Sequence, residues 1–145
     1  MLSRYAKLHR TSLQALAELR AEDALALLQA GRFQASYYLM GYAVECALKA
    51  CIAAGTREHD FPDRELARKV HTHDLKLLLD TAGLEVALES DMKRSPEFEM
   101  HWILVRDWDP GARYDLGITA EEAGSFCAAC TDGESGVLVW IKRRW

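Results

Sequence analysis

The sequence predicts an all-α protein, a single domain spanning 1–145 built as a four- or five-helix up-and-down bundle. Three observations predict it. Apolar residues recur at spacings of three and four along almost the whole chain, the signature of amphipathic helices. Half of the residues are apolar, enough for one core, with no internal repeat or low-complexity tract. The prolines all stand at expected boundaries: Pro62 in a loop, Pro96 at a helix start and Pro110 in a turn. A length of 145 residues suits one domain.

The first helix is expected from about Ser12 to Gln29, with Leu13, Leu16, Ala17, Ala24, Leu27 and Leu28 on one face, and Gly31 ending it. The second, Phe33 to Ala54, is apolar on most sides (Tyr37, Tyr38, Leu39, Met40, Tyr42, Val44, Leu48) and should be central; Gly55 closes it. The polar stretch Thr56 to His71 is expected as a long excursion with one turn near Glu65–Lys69. Thr72 then fits an N-cap for a third helix of leucines stopped by Gly83. Ser95-Pro96-Glu97 combines a cap, a proline at the first position and an early acid, and starts a fourth helix running from Phe98 to about Trp108. Asp109-Pro110-Gly111 turns the chain. Thr119-Ala120-Glu121-Glu122 opens a last helix to the end, with Val137-Leu138-Val139 alternatively a short strand because Gly133 and Gly136 weaken the helical pattern.

Net charge is −4, and no basic face is evident, so a general nucleic-acid binder is not indicated. The one basic cluster, Lys142-Arg143-Arg144 between Trp140 and Trp145, reads as a solvated helix end favoured by the helix dipole. No stretch approaches the roughly 20 apolar residues of a membrane span. The start of the sequence lacks the apolar core of a signal peptide, and a cytoplasmic location is expected. Four cysteines do not make a disulfide scaffold. Cys127-Ala128-Ala129-Cys130 has redox or zinc half-site spacing, but no second pair completes a metal site and no strand precedes it; packing explains these thiols better. No metal or cofactor is expected.

Glu45 and Lys49 lie one turn apart inside the most apolar helix. An unpaired carboxylate buried there would cost several kcal/mol. One reading is an intrahelical ion pair on an exposed stripe. The preferred one adds an arginine from a neighbouring helix, with Arg106 and Arg113 as donors.

Gly31-Arg32-Phe33 through Gly41-Tyr42-Ala43-Val44-Glu45-Cys46-Ala47-Leu48-Lys49-Ala50 resembles the second helix of HEPN (higher eukaryote and prokaryote nucleotide-binding) domains. Thr72-His73-Asp74-Leu75 and the leucines after it are similar to the third helix of that family. Trp102 through Arg113-Tyr114 is similar to the fourth helix and its following turn, and Glu121 to Trp145 to the closing helix. The resemblance covers nearly all of the chain from Leu13 onward. It implies an HEPN-like bundle, a homodimer, and either metal-independent ribonuclease activity or a nucleotidyltransferase partner in a toxin–antitoxin pair.

Nuclease members of that family carry Arg, four to six residues, then His, near the end of the fourth helix. Arginine there holds the scissile phosphate and histidine moves the proton of the 2′-hydroxyl. Arg106 matches, but Gly111, Ala112 and Arg113 fall where the histidine should be, and none can shuttle a proton near neutral pH. The spacing occurs elsewhere in Arg4/His9, Arg64/His71, Arg68/His73 and Arg94/His101, of which the last lies nearest the right place.

The expected function is therefore a non-catalytic module binding a nucleotide, RNA or a partner protein. Arg106, Arg113 and Tyr114 are the candidate phosphate ligands, and Glu45 with Lys49 a structural ion pair. A ribonuclease using Arg94 and His101, or an unrecognised pair, is the first alternative; a thiol sensor using Cys127 and Cys130 is the second.

Overall fold

The computed structural model describes residues 9–56 and 64–145. Among them the chain is all-helical, without a strand, so the strand alternative at 137–139 falls. No helix among these residues is long and apolar enough to cross a membrane.

Helix α1 (Arg10–Gln29) buries Leu13, Ala17, Ala21 and Ala24 against α2 (Phe33–Ala54). The alanines at 17, 21 and 24 let the two helices approach closely, and the short link at Ala30–Arg32 makes them antiparallel. Gly31 (φ +76°) supplies the left-handed residue: its N–H and that of Arg32 close back on the carbonyls of Leu28 and Leu27. Helix α2 is central, as its apolar girth predicts. It packs on α1, α4, α7, α8 and a 3-10 helix, and its Met40, Val44 and Leu48 are fully buried.

Helix α3 (Arg64–Val70) supplies the turn expected near Glu65–Lys69. The loop assignment of Pro62 and part of the excursion lie outside the described residues, as does Arg4 of the Arg4/His9 pair. Helix α4 (Leu75–Thr81) is capped by Asp74, not Thr72: the Asp74 carboxylate accepts from Leu77 N–H, while the Thr72 hydroxyl accepts from Asp74 N–H. The aspartate wins because its carboxylate reaches the third residue on and is charged at the positive helix end.

Helix α5 (Glu85–Arg94) was not expected. Only Leu88 of it is buried, so its apolar periodicity is faint. Helix α6 (Pro96–Arg106) starts where Ser95-Pro96 predicts, with the Ser95 hydroxyl accepting from Phe98 N–H. It stops at Arg106, short of Trp108, and the chain turns through a 3-10 helix, Pro110–Tyr114, capped by Asp109.

The last segment is two helices rather than one: α7 (Ala120–Thr131), capped by Thr119 as predicted, and α8 (Val137–Lys142). The break is built by Asp132, whose carboxylate accepts from the N–H groups of Glu134 and Ser135. A Cβ on Gly136 would stand 2.4 Å from the Asp132 carbonyl oxygen. The basic end is not simply solvated. Lys142 pairs with Glu18 at 2.6 Å, and Arg144 stacks over Trp140 and pairs with Asp91, which also accepts the Trp140 indole N–H.

Candidate functional site

Glu45 is 4% exposed, in the central helix on which α1, α4, α7, α8 and the 3-10 helix pack. Desolvation obliges it to find partners. Lys49, one turn on, brings Nζ to 3.4 Å from one carboxylate oxygen. The other oxygen lies 2.6 Å from Nδ1 of His73, which precedes α4. The expected arginine partner is thus replaced by an imidazole: the ion pairs of Glu45 are with Lys49 and His73, while Arg106 lies near Asp107 and Arg113 bonds to Tyr114 and Tyr38. A carboxylate only accepts, so Nδ1 must carry the proton. In the neutral ring Nε2 is then left as the free lone pair.

His73 is half exposed and forms part of a cleft of about 860 Å³. Its other walls come from Lys76 on α4, Arg106 at the end of α6, Trp108, and Arg113 on the 3-10 helix. Three acids also line it, yet two of them are engaged: Asp74 caps α4 and Asp109 holds the Gly111 N–H. The third, Asp107, sits 3.8 Å from Arg106, a loose and exposed contact. Accepting an N–H does not discharge an aspartate, so the three carboxylates offset the charge of the three cations; what the cleft offers an anion is N–H groups, from Lys76 and from the guanidinium of Arg106.

An aromatic wall backs this cleft. Tyr42 meets Tyr38 (5.0 Å between centroids), Trp108 (5.2 Å) and His73 (6.0 Å) edge to face. Burial, with a hydrogen bond to Tyr38, pushes the Tyr42 phenol up to about 12, so it stays protonated. Trp108 lies flat on Gly41, where a Cβ would stand only 1.9 Å from the indole; any side chain at position 41 would expel it. Among the described residues its Nε1 is the one buried side-chain polar atom without a hydrogen-bond partner. Arg113 stacks over Tyr114 at 4.8 Å, and hydrogen bonds to Tyr114 and then Tyr38 raise its pKa further. The turn is thus stapled to α2 through Tyr38, and through Gln34, which donates to the Ala112 carbonyl, not through Glu45.

Of the residues singled out from the sequence, Arg106 and Arg113 share the cleft, with Tyr114 beside Arg113 and 75% exposed. Glu45 and Lys49 form their ion pair. Arg94 and His101 do not make one site: Arg94 pairs with Asp91, while His101 Nδ1 donates to the Ser135 carbonyl at 2.9 Å. Cys127 and Cys130 are buried, and burial raises both thiol pKa values, Cys130 well above the ordinary range. Neither has the exposed, low-pKa character of a sensor. Arg64 and Arg68 lie on α3, outside the lining of the cleft.

His73 stood in the sequence only as part of the Arg68/His73 spacing and the Thr72-His73-Asp74-Leu75 motif; its role as the partner of Glu45 is what sequence reasoning missed. The signal was present as an unanswered need: a carboxylate in an apolar helix, and a histidine ahead of a leucine run that must dock on that helix. No protein-family model matches the chain, and neither a curated protein nor a solved structure matches it.

Proposed function

We propose that this protein is a non-catalytic, HEPN-type module that binds a phosphate-bearing ligand, a nucleotide or RNA, in the cleft between α4 and the α6–3-10 turn. The observation that carries this reading is the convergence of His73, Lys76, Arg106 and Arg113 on one open cavity from segments far apart in sequence. Guanidinium forks and an ammonium suit phosphate oxygens, and Tyr114 offers an exposed ring beside them for a base to stack on. The resemblance to HEPN domains supports the same ligand class and extends the proposal to a homodimer and a nucleotidyltransferase partner, which co-purification would test.

Titration of AMP and of a short single-stranded RNA into the protein tests the binding site. Each lost charged contact should weaken binding about 10-fold or more. Arg106→Ala/Arg113→Ala should therefore abolish measurable affinity, and unchanged affinity in the double variant would refute the site.

One observation favours a second reading, a metal-independent ribonuclease. An imidazole fixed by a buried carboxylate, with its second nitrogen free beside two guanidiniums, is equipped for proton transfer next to a bound phosphate. It is not the Arg94/His101 pair foreseen from spacing. Cleavage of RNA in chelator, lost in His73→Ala and kept in His101→Ala, would establish it; inert wild-type protein leaves the binding role alone.

A further inference from the structure

A second groove, about 340 Å³, opens between α6 and the first turn of α7, independent of the cleft described above. Its floor is Tyr37 and Phe126, whose rings meet at 4.4 Å, and its wall is Leu104. Leu104 is not an isolated exposed leucine. Met100, Ile103 and Leu104 share one face of α6 by their spacing and are 65%, 45% and 49% exposed, while Phe98, Trp102 and Val105 fill the opposite, buried face. An apolar ridge therefore runs along α6 into an apolar-floored groove. Contiguous apolar surface of this kind marks a contact site more often than chance exposure does.

The rim decides what fits there. Glu121 and Glu122 edge the groove. Burial raises the pKa of the Tyr37 phenol, and Glu122 raises it next, ahead of Cys130, Asp107 and Asp115. A second copy presenting this same face across a two-fold axis would bring acid against acid. A basic partner would instead neutralise the rim while covering the ridge.

We propose that the α6–α7 groove docks an amphipathic helix of a partner protein, with apolar side chains three and four residues apart for the ridge and groove and lysine or arginine flanks for the acidic rim. The probe is a labelled Leu/Lys amphipathic peptide, compared by fluorescence anisotropy with its Leu/Glu counterpart. The Lys peptide should bind at least 10-fold tighter than the Glu peptide. Ile103→Ser and Met100→Ser, both at exposed positions, should each weaken it several-fold, and Glu121→Gln/Glu122→Gln should erase the preference for lysine. Arg106→Ala/Arg113→Ala should leave peptide binding intact, which separates this surface from the phosphate cleft. Equal affinity for the two peptides would overturn the proposal, as would binding indifferent to the ridge variants in protein whose circular dichroism is unchanged. A concentration-dependent dimer dissolved by Ile103→Ser would also overturn it, in favour of a second copy.

Discussion

Two histidines of this chain make the same kind of bond and stand in different chemistry. His73 and His101 each commit Nδ1 to a strong acceptor, so each ring is held in one orientation. His101 donates to a backbone carbonyl, with the Ser135 hydroxyl and the Asp132 loop around it; it ties α6 to the α7–α8 break. His73 is anchored on a buried carboxylate, and its other edge shares a cleft with Lys76, Arg106 and Arg113. What distinguishes a structural imidazole from a candidate functional one here is the charge behind it and the cations beside it, not its spacing from an arginine.

That difference can be broken at its support. Gly41→Ala would place a methyl inside the Trp108 indole and push out the wall behind His73. We expect a loss of about 3 kcal/mol, the upper range for overpacking, with loss of ligand binding, measured by chemical denaturation and titration. Glu45→Gln removes the charge that answers both Lys49 and His73 and should cost about 2 kcal/mol. Ser135→Ala, the matching change at the other histidine, should cost under about 1 kcal/mol, because the His101 bond to the Ser135 carbonyl survives. Equal costs would erase the contrast.

Smaller effects sharpen it. His73→Ala should weaken AMP or RNA binding about 10-fold, and His101→Ala should leave binding unchanged while lowering stability by about 1 kcal/mol. The smallest effect concerns acid. Hydrogen bonds from Trp140 and then Arg94 hold the Asp91 carboxyl below its ordinary 3.8. Its stabilising contribution is thus complete above that value and lost as pH falls through the lower, folded-state pKa. Asp91→Asn should therefore lose less stability than the parent protein between pH 5 and pH 3, read from melting temperatures in that range.

The parts of the fold legible in the sequence are those where one physical signal dominates. The bounds of α2 follow from its predominantly apolar run and flanking glycines, and the starts of α6 and α7 from Ser95-Pro96 and Thr119. Helix α5 escaped because Leu88 is its only buried residue, so no apolar period announces it. The division of the last segment was hinted at by Gly133 and Gly136 but depends on Asp132 capturing two N–H groups, a choice among local bonds that periodicity does not see. At the site, Arg106 and Arg113 were readable as cations around a turn. Their meeting with His73 was not, because it requires α4 to lie against α2, a tertiary fact. Glu45 carried the missing information as a demand for a partner, which the sequence could state and not assign.

The most direct measurement is a histidine-resolved NMR titration of the imidazole carbon-bound protons with AMP and with a short RNA. Binding in the cleft predicts that the His73 resonances move with saturation while those of His101 stay fixed, and that Arg106→Ala/Arg113→Ala abolishes the movement. A stationary His73 at ligand concentrations that saturate the protein, or equal movement of His101, would contradict it.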